Sequence, residues 1–137
     1  MTAPEAATPP PRKGFKRKTK FILWMIVVVP ILLIILYTWS TLHWTYAAGY
    51  RAGLLQKFSK KGYICKTWEG EIQQAVVTGM APVLWQFTVR DGATAAQLNG
   101  MLGQHVSLHY NQHIGIPTSC FGDTEYFVDS VSIVKSE

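Results

Sequence analysis

The sequence predicts a single N-terminal transmembrane helix followed by a small, mainly β domain, arranged as an OB-like five-stranded barrel with one short helix. Three observations support this fold class. Residues 21–37 form an apolar run without a charge, and several short segments after residue 53 alternate apolar and polar residues. A single stretch of helical periodicity falls between the third and fourth of these segments, which is the element order of an OB-fold. Another antiparallel α+β sheet is the alternative.

The predicted membrane helix covers residues 21–42. Such a helix is about 33 Å long at roughly 1.5 Å per residue, enough to cross a hydrocarbon core of about 30 Å. Pro30 lies mid-span, where membrane helices tolerate proline, and Trp39 and Trp44 suit the far interface. A cleaved signal peptide is the alternative, but its apolar region is usually shorter, about 7–15 residues. The length therefore favours an uncleaved anchor.

Charge around the predicted helix indicates its orientation. Only Arg51 and Lys57 lie close beyond its C-terminal end. Cations are retained on the cytoplasmic side, so we expect a cytoplasmic N-terminus and an outer C-terminal domain. We divide the chain into a disordered basic tail (1–20), the helix (21–42), a juxtamembrane linker (43–52) and the β domain (53–137). The cations that set this orientation precede the helix: Arg12, Lys13, Lys16, Arg17, Lys18 and Lys20.

The net charge of +5 is unevenly distributed along the chain. Residues 1–20 carry six cations and one acid, Glu5, whereas residues 21–137 carry seven cations and seven acids. The whole excess thus lies in the tail, where each cation near anionic headgroups contributes about 1 kcal/mol. From this distribution we expect the membrane, and another envelope or membrane protein, as partners, and we exclude nucleic acid.

The β domain is expected to begin with three strands. Residues 53–58 form the first, a turn at 59–62 follows, and residues 63–73 form the second. A loose segment, 75–82, then leads to a third strand at 83–90, which is rich in aromatic and β-branched residues.

The helical periodicity begins after the third strand. Asp91 is the expected N-cap and Gly103 the expected C-terminal stop of a short helix, with strands at 105–110 and 124–134 after it. The residues expected to face inward are Ala95, Leu98, Met101 and Leu102 from the helix, and Tyr126, Val128, Val131 and Ile133 from the last strand.

Cys65 and Cys120 are the only cysteines, and both fall on the predicted outer side, where disulfides form. A bridge between them would close a loop of about 55 residues and stabilise the domain by roughly 4 kcal/mol. Two separate thiols and a redox or metal role are the alternatives. The absence of CxxC spacing disfavours a thioredoxin-like activity.

His105, His109 and His113 are spaced four apart and are the candidate metal ligands. On a helix they would share one face. In a strand, however, His105 and His109 lie about 13 Å apart at roughly 3.3 Å per residue, too far for one ion. We therefore expect no metal and no cofactor.

Glu69 and Glu71 are two apart on one strand face, as paired acid and base carboxylates can be. The same spacing is common on solvated faces, and Lys57, Lys60, Lys61 and Lys66 are near in sequence. Asp123 is expected to turn the chain into the last strand. No catalytic residue is predicted, and an enzyme is disfavoured.

Arg51 is the candidate partner contact. It lies between Gly49 and Gly53, whose spacing could let another helix approach closely, although this motif is diagnostic only within a membrane span. A solvent-facing arginine is the alternative.

The motifs at residues 49–53, 57–62, 66–71 and 122–126 resemble those of a group of small, uncharacterised bacterial membrane-anchored proteins. Some of these carry the label 6-phosphogluconate dehydrogenase, but this sequence has no GxGxxG after a strand and too few residues for two dehydrogenase domains. The resemblance implies a bacterial origin and a membrane anchor; together with the orientation indicated by charge, we expect the helix in the bacterial inner membrane and the β domain in the periplasm. We expect a non-enzymatic binding or scaffolding module; the alternatives are a small envelope enzyme or metal sensor, and an accessory subunit of a membrane complex.

Overall fold

A computed structural model of the chain describes residues 15–74 and 79–135. The chain divides into two compact units, Met1–Tyr37 and Thr38–Glu137. Most of the disordered tail expected at 1–20, including Arg12 and Lys13, lies outside the described residues. Part of the loose segment expected at 75–82 lies outside them as well.

The first element is a long apolar helix, α1 (Phe15–His43), which begins six residues before the expected span. Within Lys16–His43, the most apolar stretch of 18 residues has a mean hydropathy of 2.8, and none of its residues is buried. Among the described residues it is the one helix long and apolar enough to cross a membrane, a test that a signal sequence near the N-terminus also passes. Pro30 lies inside the helix.

Five strands form a closed barrel in the order β1-β2-β3-β5-β4. Neighbouring strands are antiparallel except β3 and β5, which pair in parallel. One short helix follows the third strand, so the predicted OB-like fold is confirmed. The elements are β1 (Ala47–Lys61), β2 (Thr67–Gln73), β3 (Leu84–Val89), α2 (Gly92–Gly100), β4 (His105–Gln112) and β5 (Tyr126–Ile133).

The length of β1 closes the barrel. Its first half pairs with β4, from Ala47 opposite Gln112, and its second half pairs with β2, ending at Lys61. The register shifts between Leu55 and Lys57, where a bulge bends the strand. The first strand therefore begins within the segment expected as a linker, and it continues through most of the segment expected as a turn.

The core lies inside the barrel and is closed at one end by α2. Phe87, Leu55 and Ile72 are fully buried, and Gly70 is required because a Cβ there would lie 2.3 Å from Phe87 Cζ. Ala95 and Leu98 of α2 join the core as predicted.

Two residues predicted to face inward are exposed instead. Leu102 is 44% exposed because α2 ends at Gly100, before the expected stop. Ile133, the last residue of β5, is 51% exposed.

Candidate functional site

A disulfide ties together two loops beside the β2–β3 face. Cys65 lies in the β1–β2 loop (residues 62–66) and Cys120 in the β4–β5 loop (residues 113–125); their sulfurs are bonded and their Cα atoms are 4.9 Å apart. The predicted disulfide is thus present, in place of separate thiols or a metal site. These two loops are the ones with which OB-folds commonly bind ligands.

Beside the loops, the buried carboxylate of Glu69 connects two strands and the β4–β5 loop through hydrogen bonds. It accepts hydrogen bonds from Thr67 Oγ1 at 2.7 Å, from Thr88 Oγ1 at 2.8 Å and from the backbone N–H of Asp123 at 3.2 Å. These donors come from β2, β3 and the β4–β5 loop. Since its oxygens are already occupied by protein donors, Glu69 fits a structural role that fixes the loop on the sheet.

Glu71 lies on the same outer face of β2, as strand alternation predicts, but is less buried. Its carboxylate is 3.9 Å from Lys57 Nζ and accepts a hydrogen bond from Gln86 Nε2 at 3.2 Å. The two glutamates therefore have different surroundings and do not form a paired acid and base.

The cavity between these groups is small, about 40 Å³. That volume holds a few water molecules at most. A ligand at this site would consequently bind to the surface of the strands and loops. The cavity is lined by Lys57, Lys61, Glu69, Gly70, Glu71, Gln86, Asp123 and Thr124.

The end of β1 and the β1–β2 loop, residues 57–66, form a basic and aromatic segment beside this face, and we call it the basic arm. At its tip Tyr63 and Ile64 are almost completely exposed, 105% and 95%. Lys60 Nζ lies 5.3 Å from the ring centre of Trp68, a cation–π contact. The arm carries four exposed lysines: Lys57, Lys60, Lys61 and Lys66.

The charge of the β domain is separated in space although its sum is zero. Residues 57–73 contain the four lysines and two glutamates, for a local charge of +2. The rest of residues 44–137 contains three cations and five acids, for −2. The net charge of residues 21–137 is zero and therefore does not show this separation. Summing the charges over the paired ends of β1 and β2 alone would have detected it.

The three candidate histidines lie apart. His109 Nδ1 is 2.6 Å from Asp129 Oδ1, and Asn111 Nδ2 donates to the same carboxylate at 2.9 Å. His113 is buried, with Nδ1 3.2 Å from the carbonyl oxygens of Thr41 and Trp44. His105 is exposed at the start of β4. In the described part of the chain, no three His, Cys, Asp or Glu side chains are grouped so that they could hold a metal ion.

Arg51 and its flanking glycines lie in a strand, so the helix-approach motif does not apply. A Cβ at Gly53 would lie 2.6 Å from the carbonyl oxygen of Gln73, and one at Gly49 would lie 3.3 Å from Tyr110 Oη. The close approach that these glycines permit is therefore made by the chain's own residues. Arg51 packs over the rings of Trp85 and Tyr110.

The β domain is similar in fold to a solved single-stranded DNA binding protein, the mitochondrial Rim1 of S. cerevisiae. The match has a TM-score of 0.51 and 9% sequence identity, and it covers 69% of this chain and 99% of the yeast chain. The exclusion of nucleic acid as a partner is therefore wrong. It depended on the zero net charge of residues 21–137, which does not report the basic arm, and the fold itself occurs in a DNA-binding protein.

Among curated proteins, none matches the chain. A family model described as a domain of unknown function (DUF8785) matches residues 44–136, which include all five strands and α2. The chain therefore belongs to the DUF8785 family.

Proposed function

We propose that this chain is a single-pass membrane protein whose β domain is a non-enzymatic binding module outside the cytoplasm. The exposed, apolar surface of α1 supports a membrane anchor. The basic residues in its first turns, among them Lys16 and Arg17, support a cytoplasmic N-terminus. The Cys65–Cys120 disulfide supports an oxidising compartment for the β domain.

The ligand that the basic arm fits best is a single-stranded nucleic acid. The observation that carries this proposal is the combination of four exposed lysines with the exposed ring of Tyr63 on a loop tied by the disulfide. Sites for single strands combine cations that follow the phosphates with aromatic rings on which bases stack. The carboxylates of the same face are already engaged, Glu69 with protein donors and Glu71 with Lys57 and Gln86.

Each part of the arm makes a separate contribution to this binding. Lysine–phosphate contacts release counterions, so the logarithm of the affinity falls with the logarithm of salt concentration by about 0.7 per contact for a single strand. Stacking on Tyr63 contributes about 1–3 kcal/mol and depends little on sequence. Binding should thus be salt-dependent and sequence-tolerant.

The test is fluorescence anisotropy of a labelled single-stranded oligonucleotide with the full chain in a neutral detergent, over a series of salt concentrations. The double variant Lys60→Gln, Lys61→Gln should reduce the salt slope by about 1.4. Tyr63→Ala should weaken binding about tenfold with an unchanged slope.

The matched control is Lys18→Gln, Lys20→Gln, which removes two cations from the start of α1. It should leave affinity and slope unchanged. No saturable binding, or an equal loss of slope in the control, would overturn the proposal, because the oligonucleotide would then be held by the N-terminal cations or by nothing.

A further inference from the structure

The barrel end at which β1 begins and β4 ends contains an arginine among three aromatic rings. We call the group of Arg51, Trp85, Tyr110 and Tyr126 the barrel mouth. The Trp85 ring centre lies 5.3 Å from that of Tyr110 and 5.2 Å from that of Tyr126, and the two tyrosine rings meet edge to face at 5.6 Å. This end lies opposite α2 and shares no residue with the basic arm.

Arg51 occupies an inward-facing position of β1, on the same side as the buried Leu55. Charged side chains at such positions are rare unless they are paired. Its guanidinium carbon lies 4.8 Å from the Trp85 ring centre and 5.8 Å from that of Tyr110. Within residues 15–74 and 79–135 no carboxylate and no hydrogen-bond acceptor pairs with it. The sequence at 75–78, Ala-Val-Val-Thr, contains no acidic side chain.

The ring beneath the guanidinium also has an unpaired donor. Trp85 is 6% exposed, and its Nε1–H is buried without a hydrogen-bond partner. Indole nitrogen can only donate, and leaving such a buried donor unpaired is energetically unfavourable. The hydroxyl groups of Tyr110 and Tyr126 have no hydrogen-bond partner in the described part of the chain either.

Arg51 and Trp85 Nε1 are thus donors without an acceptor in the described part of the chain, and the two tyrosine hydroxyl groups can donate as well. The guanidinium carbon lies over the Trp85 ring, and the guanidinium N–H groups have no acceptor among the described residues. An oxyanion with several acceptor oxygens satisfies a guanidinium edge, an indole N–H and hydroxyl groups together. A cation is excluded by the charge of Arg51, and an apolar ligand would leave every donor unpaired.

We propose that the barrel mouth binds a phosphate group, with Arg51 and Trp85 Nε1 as its main donors. The phosphate belongs either to a free phosphate compound or to the headgroup of a lipid. Arg51 is eight residues beyond the end of α1 at His43, which limits its distance from the helix end to about 28 Å. Only the headgroup source depends on the proposed membrane anchor; phosphate binding itself does not.

The first experiment is an NMR titration of the ¹⁵N-labelled full chain in maltoside micelles with inorganic phosphate, with chloride at matched ionic strength as reference. We expect a saturable shift of one indole N–H signal, assigned to Trp85 by its loss in Trp85→Phe. Arg51→Gln should weaken the phosphate affinity at least about tenfold, since it removes a charged donor. Arg51→Lys retains the charge without the planar fork and should give an intermediate loss.

Arg90→Gln is the matched control. Arg90 also packs over an aromatic ring, with its guanidinium carbon 5.5 Å from the Phe127 ring centre, but it lies outside the barrel mouth. Its removal should leave the phosphate affinity unchanged. If Arg51→Gln does not fold, the wild-type titration together with Arg51→Lys and Trp85→Phe tests phosphate binding at the barrel mouth.

The second experiment distinguishes the two sources. A short-chain phosphatidylglycerol is titrated into the micelles beside the matching diacylglycerol, which lacks the phosphate. A Trp85 shift with the phospholipid at lower concentration than with inorganic phosphate assigns the headgroup; the reverse order assigns a free phosphate compound. No saturable shift with either probe, or an equal loss of affinity in Arg90→Gln, would overturn the proposal.

Discussion

At the scale of single residues, Glu69 determines how the β4–β5 loop lies on the sheet. Its carboxylate accepts hydrogen bonds from β2, from β3 and from the loop itself. The sequence shows only two glutamates on one strand face; the donors that distinguish them come from residues 19 and 54 positions away. Such long-range pairing is the reason why sequence spacing alone could not assign their roles.

The substitution Glu69→Gln should destabilise the β domain by about 1–3 kcal/mol, because the amide presents an N–H₂ group to a hydroxyl or backbone donor that then lacks its acceptor. Urea unfolding of the full chain, followed by tryptophan fluorescence, measures this loss. Glu71→Gln is the control: its partly exposed pair with Lys57 should contribute less than about 1 kcal/mol. Equal losses in the two variants would contradict the structural role of Glu69.

Asp91 is the second residue for which a specific effect is expected. The N–H of Thr94, and then its hydroxyl, donate to the carboxylate and hold the pKa of Asp91 below its usual value. Because the folded state has the lower pKa, this stabilisation is present above the unfolded pKa of about 3.9 and is lost as pH falls through the folded value.

Thermal unfolding between pH 7 and pH 2.5 tests this cap. Asp91→Asn retains an N-cap acceptor but does not titrate, so its unfolding midpoint should fall less steeply with acid than that of the wild type. Asp91→Ala should lower the midpoint already at pH 7. Parallel pH profiles for the wild type and Asp91→Asn would show that the carboxylate does not cap the helix in solution.

At the scale of elements, the short helix was predicted correctly from neighbouring residues, whereas the extent of β1 was not. The Asp91 cap and the packing of Ala95 and Leu98 follow from neighbouring residues and were predicted correctly. The start of β1 was not, because Ala47 to Gly49 have low strand propensity and are held by pairing with β4, over 60 residues later. Tertiary pairing there overrides local preference.

The end of α2 offers a paired test of backbone conformation. Gly100 is the last helical residue, and a Cβ there would meet no atom within 4 Å. Gly100→Ala should therefore stabilise the domain by about 0.5 kcal/mol. Gly103 has open space too, but its φ is +79°, so Gly103→Ala should destabilise by about 1 kcal/mol. Thermal unfolding midpoints check both signs; a loss of stability in Gly100→Ala would refute the assigned helix end.

The disulfide joins the β1–β2 and β4–β5 loops, so its contribution to stability is also a property of these elements. A bridge across 55 residues should stabilise the domain by about 4 kcal/mol in the chain-entropy model. Cys65→Ser, Cys120→Ser should show that loss in urea unfolding. Added reductant should then lower the stability of the wild type but not of the variant. An intact mass about 2 Da below that of the dithiol under non-reducing conditions verifies the bridge. Unchanged stability of the wild type on reduction would show that the bridge does not stabilise the domain.

At the scale of the whole molecule, where charge lies matters more than its total. The apolar run and the basic residues before it are contiguous, so the sequence alone indicates a helix long enough to span a membrane. The basic arm and the barrel mouth depend instead on the folded arrangement: a register between β1 and β2 for the lysines, and residues from four strands for Arg51 and its rings. The net charge of zero therefore does not indicate which surfaces of the β domain could bind a charged ligand.

The proposed anchor predicts both the size and the orientation of the expressed chain. If α1 is retained in the membrane, the chain keeps its mass of 15.4 kDa and stays in the membrane fraction after carbonate washing. Cleavage as a signal sequence would instead release a smaller, carbonate-soluble domain. A C-terminal epitope tag should be removed by protease added to intact spheroplasts, whereas a cytoplasmic marker protein survives. Protection of the tag would reverse the orientation, and it would place the β domain in a reducing compartment where the Cys65–Cys120 bridge is not expected to persist.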